Sequence, residues 1–152
     1  MTNEIKAMKR KRTDMQTLHG KLCVALYEKL GGKVLPVMEE IYGQYGFEVG
    51  LGLKEKWEPR DLAEAAKAFV EMCNSNGLPS KVEVQDSVAY WTGCCCPFGI
   101  ENTHRPVCEA FMAMDRELFR AVLGVAKDKM EFTIDKCLAD GDDCCKGVFR
   151  LL

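Results

Sequence analysis

The sequence lacks any apolar run near the roughly 20 residues that a membrane-spanning helix needs. Its first residues, MTNEIKAMKRKR, also lack the apolar core of a secretory signal. No internal repeat and no low-complexity linker divides the chain. We therefore expect a single domain over residues 1–152, in the cytoplasm, where thiols stay reduced.

An excess of charge of one sign is missing as well. The 21 Lys and Arg residues and 23 Asp and Glu residues leave a net charge of −2. A general nucleic-acid binder needs a basic surface to neutralise phosphates, so nucleic acid is not an expected partner. The one basic run, KRKR at residues 9–12, is interpreted as a solvated tail or helix end.

Two common signs of a metal site are scarce: the chain has only two His residues and no Cys-x-x-Cys pair. Cysteine itself is abundant, with nine residues. An odd number suits a disulfide scaffold poorly, and a chain of this length can bury a core without one. In a reducing compartment this composition favours metal binding or redox chemistry.

Hydrophobic spacing predicts helices over about residues 13–77. Thr13 and Gln16 form a capping box before the first helix, and leucines at i+4 spacing give that helix an apolar stripe. The stripe consists of Leu18, Leu22, Leu26 and Leu30. A second helix is predicted over residues 34–45, after which several glycines loosen the chain, and a third over residues 61–77. The predicted buried face of the second helix comprises Leu35, Met38, Ile41, Tyr42 and Tyr45.

Strand patterns dominate residues 81–151. Alternation predicts strand over residues 81–91, and a helix begins at Pro106 and ends at Gly124. A strand over 130–135, a tight turn at 140–141 and a last strand over 144–151 complete the pattern. Helices followed by strands with one inserted helix indicate an α+β fold, with an antiparallel sheet packed against helices.

The cysteines divide by position. Cys23 and Cys73 lie inside amphipathic helices and are interpreted as packed apolar side chains. The other seven lie at the ends of elements: Cys94, Cys95, Cys96, Cys108, Cys137, Cys144 and Cys145. Cys108 falls in the first turn of its helix, where the helix dipole favours a thiolate. The length of the last loop leaves open whether Cys144 or Cys145 faces Cys137.

The stretch GCCCPFG, residues 93–99, ends the first strand region. Alternation places Cys94 and Cys96 on one side and Cys95 on the other. This stretch, the helix start and both arms of the hairpin supply four sources of thiolate. Four thiolates suit structural zinc or an iron–sulfur cluster, while reactive redox thiols and inert packing remain alternatives. His104, in the following loop, is a candidate replacement ligand.

Cys96-Pro97, then Cys108 opening a helix, then Cys137 and the sequence Gly141-Asp142-x-x-Cys145 form an ordered pattern. Over about residues 80–150 it resembles the 4-vinyl-reductase-like domain, a group that includes output domains of methanogen regulators. The resemblance implies helices packed on an antiparallel sheet, the ligand-binding fold of nitric-oxide-signalling and vesicle-tethering proteins. It also implies that Cys96, Cys108, Cys137 and Cys145 bind metal or switch redox state.

We accordingly expect a small-molecule-binding or sensor domain rather than an enzyme, with zinc or an iron–sulfur cluster held by these four cysteines. Cys94, Cys95 and Cys144 are the alternative ligands. The pocket is expected between sheet and helices, lined by residues such as Tyr90, Phe111 and Met114. A small apolar or sulfur-containing compound is the expected ligand. With no DNA-binding or kinase segment in the chain, a sensor would signal through a homodimer or a regulatory protein.

The closing Gly-Asp-x-x-Cys hairpin is also similar to the aminothiazoline-carboxylate hydrolase-like group. That similarity would imply an enzyme acting on a small sulfur heterocycle. Its acid–base candidates are Glu109 and Asp115, which we interpret instead as charges on an exposed helix face. A thiol redox sensor is the remaining alternative.

Overall fold

A computed structural model describes residues 14–152, and the predicted cap Thr13 and the basic run 9–12 lie outside them. The helices are α1 (Met15–Leu30), α2 (Leu35–Trp57), α3 (Leu62–Ser75) and α4 (Arg105–Leu123). The strands are β1 (Ser80–Gln85), β2 (Val88–Gly93), β3 (Met130–Lys136) and β4 (Cys145–Leu151). Short 3₁₀ turns occupy Gly31–Val34, Lys127–Lys129 and Leu138–Asp140. No helix in this described part is long and apolar enough to cross a membrane.

The strands form one antiparallel sheet in the order β1-β2-β4-β3, which confirms the expected α+β fold. Because side chains alternate along each strand, one face collects the apolar residues. Two rows of directly paired residues cross that face: Val82, Trp91, Gly147 and Ile134, then Val84, Ala89, Phe149 and Phe132. This inner face packs against the helices.

The core between the sheet, α3 and α4 is built on aromatic side chains. Phe119 of α4 stacks on Phe149 of β4 with 4.1 Å between ring centroids. Phe69 of α3 meets Phe119 edge-on at 5.1 Å. Asp61 caps α3 by accepting a hydrogen bond from the backbone N–H of Glu64, as its position before the helix predicts.

Helix α2 is longer than predicted, because the glycines that were expected to loosen the chain lie inside it. Gly43, Gly46 and Gly50 are buried against α4. A Cβ added at Gly46 would lie 2.0 Å from the carbonyl oxygen of Met114, and one at Gly50 would lie 2.5 Å from that of Leu118. The glycines therefore let two helices approach backbone to backbone, and the prediction of a helix end near Tyr45 was wrong.

The predicted apolar stripe of leucines on α1 faces outward instead of into the core. Leu18 and Leu22 are each 55% exposed. The buried side of α1 instead carries Gly20 and Cys23, and a Cβ at Gly20 would collide with the carbonyl oxygen of Phe98. In α2, Ile41 is 61% exposed and Tyr45 is exposed as well, contrary to the predicted buried face. Close packing of small residues, and not the leucines, decides which side of α1 is covered.

The connection between β3 and β4 is wider than the tight turn that was expected. Residues 137–144 separate the strands and include the 3₁₀ turn Leu138–Asp140. Gly141 follows with a φ of 88°, in the left-handed region that favours glycine. The Asp142 carboxylate accepts the Cys137 backbone N–H at 2.8 Å. The Gly-Asp pair thus closes the loop around Cys137.

Candidate functional site

Three thiols meet where α4 begins and the β3–β4 hairpin ends. Hydrogen bonds join the side chains of Cys108, Cys137 and Cys145 pairwise. Across the hairpin, the residue that contacts Cys137 is Cys145 and not Cys144, which were the two alternatives that the sequence left open. Arg105, at the start of α4, holds the two elements together through an ion pair with Asp140 at 3.1 Å.

Backbone N–H groups surround the sulfur atoms of the predicted ligands. Those of Phe98, Gly99 and Ile100 donate to the Cys96 sulfur. The Cys137 sulfur accepts from Ala139 and Asp140, and the Cys145 sulfur accepts from the Leu138 N–H at 3.4 Å. N–H donors favour the thiolate over the thiol, since hydrogen bonds to the charged form stabilise it. Both Cys-rich turns therefore have the chemistry of a thiolate site.

The three linked thiols differ in their pKa values. Hydrogen bonds from Cys108 and Cys145, helped by the backbone donors, lower the pKa of Cys137. Donation to Cys137 raises the pKa of Cys108 well above the usual range. The hydrogen bond from Cys108 lowers the pKa of Cys145, but its bond to Cys137 and burial leave that pKa at about 12. Cys137 is therefore the thiol of the cluster that loses its proton most readily.

Cys96 lies beside this cluster. It packs against the core group that contains Cys108 and Cys137, and it lines a small apolar cavity of about 40 Å³ together with Cys108 and Cys145. Across residues 14–152, no group of three or more His, Cys, Asp and Glu side chains is arranged to hold a metal ion as it stands. Three of the four predicted ligands thus contact one another, and Cys96 lines the same small cavity as Cys108 and Cys145.

The remaining candidates lie apart from the three linked thiols. Burial is the main cause that raises the pKa of Cys144. Its hydrogen bond with Asp143 and the charge of the nearby Cys94 raise that pKa further. Cys95 is buried and lines both the small cavity and a larger one. His104 instead hydrogen-bonds Glu28 of α1 at 2.9 Å, so its imidazole links the start of α4 to α1.

The larger cavity, of about 400 Å³, lies between the helices and the inner face of the sheet. That volume is within the usual range for small-molecule sites. Its apolar lining comes from every layer of the fold, with Val49 of α2, Phe69 and Met72 of α3, Trp91 of β2 and Met114 of α4. The two cavities share Trp91, Cys95, Pro97, Phe98 and Met112.

Trp91 lies along the sheet over two glycines. A Cβ at Gly93 would come within 2.4 Å of its ring, and one at Gly147 would come within 3.5 Å. The missing side chains make room for the indole where it lines both cavities. Its Nε1 is buried and has no hydrogen-bond partner among the described residues. Gly147 thus makes room for a cavity wall, since a Cβ there would also collide with Phe132.

Asp115 is the one carboxyl group that lines the larger cavity. It forms no hydrogen bond or ion pair with any residue in the range 14–152, although it lies near Cys73. Part of the Asp115 side chain is accessible from the cavity, and protein encloses the rest. This burial raises the pKa of Asp115 to about 7. The interpretation of Asp115 as a charge on an exposed helix face was therefore wrong. Glu109, by contrast, is exposed and pairs with Arg105 at 2.8 Å.

The three residues predicted to line a pocket have different positions. Met114 lines the larger cavity and Phe111 the smaller one. Tyr90 is 44% exposed on the outer face of the sheet and lines neither, because alternation turns its neighbour Trp91 inward. Sequence reasoning did not predict that Trp91 and Cys73 line the cavity. For Trp91 a signal was available, because it is paired with Val82, which the alternation in β1 places on the inner face.

Comparison with known proteins supports the fold. No protein-family model matches the chain, and no curated protein matches it in sequence. A crystal structure of a trafficking protein particle complex subunit 3 from Naegleria fowleri, covalently bound to palmitic acid, is 15% identical. It superposes with a TM-score of 0.56 over 89% of this chain and 96% of that one. The phenol-responsive sensory domain of the transcription activator PoxR, solved with phenol, is 12% identical to this chain. It superposes with a TM-score of 0.62 over 98% of this chain and 89% of the PoxR domain.

Proposed function

We propose that this chain is a small-molecule-binding or sensor domain of the 4-vinyl-reductase-like type, whose ligand occupies the cavity between the helices and the sheet. The single observation that carries the proposal is a cavity of about 400 Å³ with a mostly apolar lining and an unpaired carboxyl group. A largely preformed apolar pocket with few polar groups is the usual form of a ligand site. Two proteins of the same fold, whose structures contain phenol and palmitic acid, support this proposal.

Palmitic acid and phenol represent two classes of ligand, a fatty acid and a small neutral aromatic compound. The lining of the larger cavity favours the second class over the first. A fatty acid would bring a carboxylate, or a thioester at a cysteine, into a cavity that already contains Asp115. Burial and the nearby Asp115 raise the pKa of Cys73 to about 11, so this thiol is a weak nucleophile for acylation. A neutral or cationic compound fits the charge of the cavity better than a fatty acid does.

The proposal is tested by filling the cavity. Val49 lines it, whereas Val37 lies exposed on the same helix, so Val49→Phe and Val37→Phe are a matched pair. A probe that binds only the folded protein raises the melting temperature increasingly as its concentration exceeds the dissociation constant. We expect 2-phenylethanol at millimolar concentration to stabilise the wild type and Val37→Phe, but not Val49→Phe. Equal stabilisation of all three proteins would place the probe elsewhere and contradict the proposal.

A second proposal concerns the cysteines: Cys96, Cys108, Cys137 and Cys145 bind one zinc ion or one iron–sulfur cluster. The contacts among three of the thiols, the backbone donors to three of the sulfurs and the shared 40 Å³ cavity support it. Deprotonation of Cys108 and Cys145 would replace hydrogen bonds with bonds to the metal, because thiolates are the ligands of zinc and iron–sulfur centres. The ion would join the β2–α4 loop, the helix start and the hairpin.

Elemental analysis and an absorption spectrum of protein purified without oxygen test the metal proposal. About one colourless zinc per chain would indicate a structural site. Iron with sulfide and a brown colour would indicate a cluster and favour redox sensing. Protein that is folded and free of metal would contradict the proposal and leave the thiol contacts as packing or redox chemistry.

A further inference from the structure

The larger cavity holds an acidic group with no counter-ion, and this imbalance indicates what kind of ligand it takes. Among residues 14–152, its titratable lining groups are Tyr45 from α2, Cys73 from α3, Cys95 from the β2–α4 loop and Asp115 itself. None of the described lining residues is Lys, Arg or His. A carboxylate enclosed by protein is costly unless it is paired. The missing partner is therefore a positive group that the fold does not supply.

The other walls suit the same group. Aromatic rings from four separate elements line the cavity, and they belong to Tyr45, Phe69, Trp91 and Phe98. The faces of aromatic rings attract cations, most strongly when water is excluded. The methionines Met72, Met112 and Met114 add adaptable apolar surface. A carboxylate among aromatic and thioether side chains is complementary to an amine with an apolar or aromatic body.

We propose that the cavity recognises amines that carry an apolar or aromatic body, with the protonated amino group paired to Asp115. This inference rests on the proposed function, since it names the ligand class of the same cavity. A carboxylate ligand is disfavoured by repulsion from Asp115. A neutral alcohol can donate a hydrogen bond to the carboxylate but brings no charge to neutralise it, whereas an ammonium group does both.

Three probes of nearly equal size separate these cases: 2-phenylethylamine, 2-phenylethanol and phenylacetate. Calorimetric titration at pH 8 should give the wild type a preference of about 10-fold or more for the amine over the alcohol, with phenylacetate weakest. Asp115→Asn keeps the shape and removes the charge. It should reduce the preference for the amine to about 1-fold while changing alcohol affinity little. Asp135→Asn, at an exposed position, should behave as the wild type.

The outcomes distinguish this inference from the function beneath it. Equal binding of amine and alcohol by the wild type would overturn the amine assignment but leave a ligand-binding cavity. An amine preference that persists in Asp115→Asn would also overturn it, because the charge would then lie elsewhere. Failure of all three probes to bind the wild type would overturn both. Circular dichroism of Asp115→Asn establishes that the variant is folded, and Asp115→Ser gives a second uncharged side chain for the same comparison.

Discussion

Gly46 of α2 lies against Met114 of α4 so closely that a Cβ on the glycine would be 2.0 Å from the methionine carbonyl oxygen. The contact involves backbone, which cannot rotate away as a side chain can. Because Met114 also lines the larger cavity, this helix pair sets one wall of the proposed ligand site. The shape of the cavity therefore depends on a residue with no side chain.

Gly46→Ala should destabilise the protein. The added methyl group forces α2 and α4 apart, and overpacking of this kind costs about 1–3 kcal/mol or more. Gly52→Ala is the matched control on the same helix, since a Cβ there meets nothing within 4 Å. The control should gain about 0.5–1 kcal/mol from helix propensity. Denaturant unfolding measures both, and a neutral Gly46→Ala would mean that the helices are not in backbone contact.

Asp115 should make the ligand-free protein less stable as the pH rises. Its pKa of about 7 in the fold exceeds the ordinary aspartate value of 3.8, so between these values the folded state binds more protons than the unfolded state. The free energy of unfolding therefore falls from about pH 4 to pH 7 and then levels off. Asp115→Asn should remove this loss, raising stability at pH 8 by at most about 4 kcal/mol and little at pH 4.

The control for this titration is Asp135→Asn, which changes an exposed carboxyl group. The comparison between the two variants removes the contribution of every other titrating group. A difference between them that does not vary with pH would show that the Asp115 carboxyl titrates normally. The cavity would then be wetter than its lining indicates.

Replacement of a proposed metal ligand should lower metal content, whereas replacement of a distant cysteine should not. Cys137→Ser removes a thiol that contacts both Cys108 and Cys145. Cys73→Ser is the control, because Cys73 packs in the separate core around α3 and its thiol hydrogen-bonds Ser80. We expect the first variant to lose most of the bound metal and the second to keep it. Equal metal content in both would remove Cys137 from the ligand set.

The exposed leucines of α1 predict self-association. Leu18 and Leu22 belong to the outward row, and exposed apolar rows of this kind mark contact surfaces. We expect the wild type to be a homodimer that Leu22→Glu dissociates, while Lys29→Glu, a charge change at an exposed position of the same helix, does not. Sedimentation at several protein concentrations measures this. A monomeric wild type would contradict this prediction.

Local patterns predicted much of the fold. Alternation in β1 and β2, the Asp61 cap and the Pro106 helix start all depend on short-range preferences, and they predicted the sheet and α3 and α4 closely. The glycines of α2 were misinterpreted because their reason is a neighbouring helix, which no local pattern reveals. The outward direction of the α1 leucines could not be predicted for the same reason, since Gly20 decides which side of α1 approaches Phe98.

The site was partly predictable. Element ends brought Cys96, Cys108, Cys137 and Cys145 together as candidates, but the choice of Cys145 over Cys144 depended on a loop whose shape Gly141 and Asp142 set. Asp115 had a usable signal, because it follows the buried Phe111 by four residues and precedes the buried Leu118 by three. A single acid within an apolar helical stripe indicates an enclosed carboxyl group.

The central claim is that a ligand occupies the cavity beside Trp91, and the fluorescence of that indole tests it most directly. The chain has two tryptophans, so Trp57→Phe leaves Trp91 as the sole reporter. Titration of this variant with 2-phenylethylamine should give a saturable change in emission, which a further Val49→Phe substitution in the cavity wall abolishes. No saturable change in emission, or one that Val49→Phe leaves intact, would contradict the account.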